Sequence, residues 1–270
     1  MKEIKTKEAK IYSDMLKNSY TKEEEKLIIP IGICEDKEPV YMNMETIHGL
    51  FIGGTTGSGK SVLIDNIICF LIEKNSSNDI KFLLMDPKKI ELFEYNGLDY
   101  LYNSNKKTIR SPKKALDAML NILKEMSKRV NLLVKNNVKN IVSYNKKAEK
   151  KLPHIFIVID ESTDIMKYSD SRKIIEQILD SGRPLGIHVI FATNSYLKDY
   201  YDTKFIHHFK YRISFDMASK EQAKYMEIKG CDLLKESGTC LIKCPGDKLY
   251  KLRTASPSIS ETLINKLSRQ

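Results

Sequence analysis

No part of this sequence approaches the roughly 20 consecutive apolar residues that a membrane-spanning helix needs. The apolar stretch from Val62 to Ile72 is interrupted by Asp65 and Asn66. Any membrane role would therefore need a partner. The N terminus lacks a secretory apolar core, because Lys and Glu alternate through it. There is no C-x-x-C pair, and the five cysteines, Cys34, Cys69, Cys231, Cys240 and Cys244, are odd in number. Cys240 and Cys244 lie close together without His or Cys partners at zinc spacing. That argues against a disulfide framework and a zinc site, and predicts reduced cytoplasmic thiols. Internal repeats and low-complexity linkers are also missing.

What is present is enough chain for a sizeable core. The 270 residues suit one large α/β domain or two small ones, and 30% charged against 41% hydrophobic residues is a soluble, globular balance. Net charge is +10, and it is concentrated. Between Tyr102 and Lys151 stand 14 Lys and Arg against Asp117, Glu125 and Glu149, a surplus as large as that of the whole chain. A solvated helix face and a face turned towards a polyanion account for it equally well.

Along the chain, residues 1–26 read as a charged lead-in, with Ala9, Tyr12, Leu16 and Tyr20 at helical spacing. Residues 27–32 and 39–42 predict a small hairpin. Apolar runs at 80–85, 155–159 and 189–192 predict parallel strands buried on both faces, and 212–215 and 239–242 two more. A long helix is predicted from Pro112 to about Val134, its inner stripe being Leu116, Met119, Leu123, Met126, Val130 and Leu133. A crossover helix is expected at 171–179 and a closing helix at 258–267. The expected fold is α/β, one domain over residues 27–270, with a mostly parallel twisted sheet and helices on both faces.

Two constellations carry chemistry. The first is Gly53-Gly54-Thr55-Thr56-Gly57-Ser58-Gly59-Lys60-Ser61-Val62, directly after the apolar run 50–52. Gly54, Gly59, Lys60 and Ser61 fit the spacing G-x-x-x-x-G-K-[ST] of a phosphate-binding P-loop. The glycines let backbone N–H groups turn towards phosphate oxygens. Lys60 is a mobile charge for the β- and γ-phosphates, the Ser61 hydroxyl is a candidate Mg²⁺ ligand, and a following helix adds its N-terminal dipole. ATP with Mg²⁺ is the expected ligand. The second is His154-Ile155-Phe156-Ile157-Val158-Ile159-Asp160-Glu161, an apolar strand ending in two acids. Asp160 is placed for the Mg²⁺ shell and Glu161 for activating a water. The alternative is a polar helix cap with Glu161 solvated. Asn194, ending a third strand, is either a γ-phosphate sensor or a turn former.

In order and spacing these motifs resemble the FtsK/SpoIIIE DNA-translocase motor from about Leu27 to Ser260. The segments "GLFIGGTTGSGKSV", "LLMDPKKIELFEYNGL", "IVIDESTDIM", "GRPLGIHVIFATN" and "YRISFDMASKEQAKYM" carry the likeness. The resemblance implies a RecA-like P-loop NTPase core in a hexameric ring around double-stranded DNA, ATP between subunits, and an arginine supplied by a neighbour. Arg212 is the first candidate for that arginine and Arg183 the second. The resemblance further implies two DNA-touching loops. Lys220, Lys224 and Lys229 would serve the first, Lys243 and Lys248 the second. Departures are Asn194 where the family has Gln, Ser162-Thr163 where it favours Phe-Ala, and Lys224 where an Arg is common. Neither a membrane anchor nor a C-terminal winged-helix module is expected. The Lys/Asn/Ile-rich composition suggests an AT-rich genome, and a motor read as standing alone suggests service to a mobile element, with a recruiting protein. The rivals are a coupling ATPase of conjugation or secretion, acting on a protein or protein–DNA cargo, and a non-hydrolysing nucleotide switch.

Overall fold

The computed structural model describes residues 27–36, 39–88, 91–194, 200–217 and 219–254. The expected lead-in at 1–26 and closing helix at 258–267 lie outside them. Internal contacts gather the described residues into two compact units: those within Met1–Met44, Ile52–Asn75 and Tyr211–Gln270 form the first, those within Glu45–Phe51 and Ser76–Lys210 the second.

The first unit is built on antiparallel strands. The predicted hairpin is β1 (Ile28–Cys34) with β2 (Pro39–Asn43), antiparallel with a register shift between Pro30 and Gly32. Strand β3 (Gly49–Gly53) enters this unit at Ile52 and leads into the glycine loop. Helix α1 (Lys60–Lys74) follows, burying Leu63, Ile64, Ile67, Ile68 and Leu71. Strands β7 (Tyr211–Ser214), β8 (Thr239–Cys244) and β9 (Lys248–Arg253) complete it, in the order β2-β1-β9-β8-β7. Strand β9 is absent from the sequence reading. Its residues Lys248 to Lys251 are all exposed, so it carries no apolar run, and antiparallel pairing with β8 defines it.

The second unit is the parallel part. Strands β4 (Ile80–Met85), β5 (His154–Ile159) and β6 (Ile187–Thr193) pair in parallel, with Met85 beside Ile159 and Ile159 beside Phe191. Strand β6 is buried at every position, as a strand covered on both faces requires. Helix α2 (Pro112–Lys135) and crossover helix α5 (Ser169–Ser181) flank these strands in the chain, with the short α3 (Ile141–Asn145) and α4 (Thr163–Met166) between. A ring cluster of Phe51, Phe191, Tyr201, Phe205 and Phe209 fills the core, with centroids 5.3–6.2 Å apart.

Helix α2 departs from its predicted stripe. Its buried residues are Ala115, Met119, Ile122, Met126, Arg129 and Leu133, whereas Val130 is 46% exposed. Arg129 is 2% exposed because its guanidinium donates to Leu185 O (2.7 Å) and Glu125 Oε1 (3.0 Å). A buried arginine is tolerated when its donors are satisfied in this way.

Candidate nucleotide site

In the first unit the glycine loop is held by backbone bonds to distant segments. Thr55 N–H donates to Asp216 O (2.7 Å), Phe215 N–H to Gly53 O (2.9 Å) and Gly238 N–H to Ser58 O (2.9 Å). The Ser237 hydroxyl donates to Gly57 O (3.0 Å). Gly59 ends the loop at φ +119°, where a side chain would be strained, and a Cβ there would lie 3.2 Å from the Gly238 backbone. The next residue starts α1, so the loop meets a helix N terminus, a favourable place for an anion.

Within the loop, Lys60 is 5% exposed and its Nζ donates to Thr55 O (3.0 Å). The Ser58 hydroxyl is buried, and no described residue accepts or donates to it. A buried hydroxyl without a partner costs about 1–3 kcal/mol, which a phosphate oxygen would remove. These features fit a nucleoside triphosphate. Among the described residues no group of three or more His, Cys, Asp or Glu could hold a metal ion by itself. Mg²⁺ does not require one, since it binds through one or two protein ligands plus phosphates and water. Asp216, Ser237 and Gly238 brace the loop, yet nothing local in the sequence marks them.

The acidic pair lies in the second unit, at the carboxyl end of β5. Asp160 is buried, its N–H donating to Met85 O (2.9 Å) on the neighbouring strand. Glu161 has φ +53°, in the left-handed region, a conformation that costs a non-glycine residue roughly 1 kcal/mol. Its N–H reaches Asp160 Oδ1 (3.1 Å), and its Oε2 lies 3.1 Å from Lys88 Nζ. The departure Ser162-Thr163 has a counterpart in Tyr201. The phenol of Tyr201, wholly buried, lies 2.9 Å from Ser162 Oγ and 3.4 Å from Thr163 Oγ1. Burial pushes the Tyr201 hydroxyl pKa up, so it remains a neutral donor and acceptor. Asn194 is half-buried directly after β6. Neither Lys88 nor Tyr201 received a role from the sequence.

The two candidate arginines differ. Arg212, on β7 of the first unit, is 6% exposed and donates from Nη1 to Glu227 Oε2 (2.8 Å). Arg183 is exposed, on a single 3₁₀ turn (Arg183–Leu185) of the second unit. Of the candidate DNA lysines, Lys220 and Lys224 stand exposed on the helix Lys220–Met226, whose N-cap Ser219 accepts from Gln222 N–H. Lys229 and Lys248 are also exposed. Lys243 instead lies 3.0 Å from Asp247 Oδ1 and 3.7 Å from Glu227 Oε2. Thus one unit carries Gly54 to Val62, Arg212 and the five lysines, and the other carries Asp160, Glu161, Arg183 and Asn194.

The fold of this chain also occurs in known proteins. The cytoplasmic domain of the type VII secretion ATPase EccC of Thermomonospora curvata superposes with TM-score 0.75 at 21% identity, over 92% of this chain and 32% of that one. The conjugation coupling protein TcpA of pCW3, solved as a monomer with ATPγS, superposes with TM-score 0.74 at 19% identity, over 93% of this chain and 72% of its own. These likenesses show the RecA-like P-loop fold. In sequence, the DNA translocase FtsK of Campylobacter jejuni is 32% identical over 88% of this chain, and that of Clostridium acetobutylicum 34% identical over 77%. The chain spans only about a quarter of those relatives, 26% and 28% of their lengths. The FtsK/SpoIIIE family model matches residues 11–198, about two thirds of the 270, so the chain belongs to the FtsK/SpoIIIE family.

Proposed function

We propose that this chain is an ATPase motor that moves double-stranded DNA, working as a ring of identical subunits. The observation that carries the reading is an intact phosphate loop and an intact acidic pair in a chain 32% identical to a DNA translocase over most of its length. The loop backbone from Gly54 to Ser61 cradles the phosphates, and Lys60 leaves Thr55 O for phosphate oxygen. The Ser58 hydroxyl, without a partner among the described residues, gains one. Bound Mg²⁺ would neutralise phosphate charge, with the Ser61 hydroxyl and Asp160 as its protein ligands. Glu161 accepts the proton of the attacking water.

Of the two arginines, Arg183 is the one we assign to the neighbouring subunit's phosphates. Its exposure supports this, while Arg212 is buried in an ion pair with Glu227. Lys220, Lys224, Lys229 and Lys248 are assigned to DNA phosphates on the strength of their exposure. Lys243, engaged with Asp247, steadies its loop instead. A cytoplasmic setting accords with five cysteines outside any disulfide, of which Cys240 has a thiol pKa pushed up to about 12 by burial.

The test is ATP turnover with and without long double-stranded DNA, at low and moderate salt. Stimulation that grows with DNA length and fades with salt is the expected result. Turnover indifferent to DNA would overturn the reading and favour a protein cargo. Absence of turnover with ATP still bound would favour a nucleotide switch.

A further inference from the structure

Lys88 leaves the carboxyl end of β4, and Glu161 the carboxyl end of β5. Because Met85 and Ile159 are register partners, the two residues emerge side by side. Asp86 fixes the backbone on either side of the turn at Lys88: its Oδ2 accepts from Glu91 N–H (3.0 Å) and Leu92 N–H (3.3 Å), and its own N–H donates to Ile109 O (2.9 Å). The ammonium of Lys88 then lies 3.1 Å from Glu161 Oε2, an ion pair held by charge, since no described group meets that oxygen in hydrogen-bond geometry. That oxygen is shut off from solvent, although the Glu161 side chain as a whole keeps 14% of its exposure.

A carboxylate that accepts a proton from water must present one oxygen in a fixed direction. Glutamate has several rotatable bonds and cannot hold that direction unaided. Here the backbone is already committed, at φ +53° with the amide turned back to Asp160 Oδ1. Among the described residues the Lys88 ammonium is the cation paired with the buried oxygen of that side chain. An ordinary surface ion pair would have both carboxylate oxygens open to water.

We propose that Lys88 is a positioning residue for hydrolysis, gripping Oε2 of Glu161 so that the other carboxylate oxygen takes the proton of the attacking water. In this step the water oxygen bonds to the γ-phosphorus, and the bond from that phosphorus to the β–γ bridging oxygen breaks. The water proton goes to Glu161, ADP leaves with the bonding pair, and Lys88 transfers no proton. The inference rests on Glu161 being the base, as proposed above.

The test is a set of full-chain variants, K88A, K88R, E161Q and K88A/E161Q, read by steady-state and single-turnover ATP hydrolysis, by binding of a fluorescent ATP analogue and by thermal melting. A misdirected base is expected to lower kcat ~10- to 100-fold in K88A. KM, analogue affinity and melting temperature should stay near those of the parent. K88R should recover most of the loss, and adding K88A to E161Q should cost nothing more. Unchanged turnover in K88A beside a dead E161Q would overturn the role of Lys88 alone. Raised turnover in K88A would also overturn it, making Lys88 a restraint on Glu161. Weakened analogue binding that accounts for the whole loss would overturn it by making Lys88 a nucleotide contact. Normal turnover in E161Q would instead overturn the base itself.

Discussion

Arg212 Nη1 donates to Glu227 Oε2 across 2.8 Å, and this bond gives the two candidate arginines different fates on substitution. Arg212→Ala should lower stability by about 1.5–3 kcal/mol, the range for a hydrogen bond to a charged group. Arg183→Ala should leave the melting temperature unchanged and cut turnover, by up to ~1000-fold if the guanidinium acts on a neighbour's phosphates. Mixing Arg183→Ala subunits with Lys60→Ala subunits checks it. Each defect then lies in a different copy, and partial recovery of activity is expected. A melting shift in Arg183→Ala matching that of Arg212→Ala would count against the assignment.

Ser58→Ala separates folding from nucleotide binding. Its hydroxyl is buried without a described partner, so its removal should leave the nucleotide-free protein as stable as before, or more stable by about 1 kcal/mol. Affinity for ATP should fall several-fold. Calorimetric titration beside a thermal melt reads both. Equal losses in both would mean that the hydroxyl supports the loop itself.

A pair of neighbouring histidines, His188 buried and His154 half-buried, predicts acid sensitivity. His188 Nδ1 lies 3.0 Å from Ile47 O and its Nε2 3.1 Å from His154 Nδ1. With His188 Nδ1–H donating to the carbonyl, Nε2 is the acceptor for His154 Nδ1–H. Protonating His188 would set N–H against N–H. Burial is the main cause that lowers the pKa of His188 to about 4 and of His154 to about 3. The folded state therefore binds fewer protons than the unfolded chain below about pH 6.5. Stability is full above that value and falls as pH drops towards the folded pKa values, by up to about 1.4 kcal/mol per pH unit for each histidine. Urea unfolding at pH 7.5 and 5.5, above most carboxylate titration, should show the loss, and an unchanged free energy would contradict it.

Tyr201→Phe removes only the hydroxyl that meets Ser162 and Thr163 beside the acidic pair. The ring contacts to Phe51, Phe191 and Phe205 remain. A loss of about 1–2 kcal/mol is expected, because the Ser162 hydroxyl stays buried without it. Chemical denaturation measures it, and a neutral result would mean that water replaces the phenol.

Lys220→Ala with Lys224→Ala should weaken DNA binding equally for all sequences and reduce the slope of log affinity against log salt by about 2. Lys243→Ala should act mainly on stability, since its ammonium is already paired with Asp247. A salt titration of DNA binding distinguishes the two.

Features set by a few neighbouring residues were legible in the sequence. The glycine loop, the strands at β4, β5 and β6 and the acids after β5 all appear where their spacing predicts. Helix α2 was found, but its inner face was assigned to Val130 rather than Arg129, because hydrophobicity cannot anticipate Leu185 O waiting for a guanidinium. Strand β9 went unseen because its pattern is that of an exposed ribbon, made a strand by its neighbour β8.

By itself, then, the sequence determined the phosphate loop, the acidic pair and the family, because each depends on residue types at short, rigid backbone spacing. The tertiary structure alone decided which arginine is exposed and which is bound to Glu227. It also decided that Lys88 meets Glu161 and that Tyr201 meets Ser162. Those pairs are 73 and 39 positions apart. The packing of strands and loops sets their distances, and no local pattern of residues encodes them.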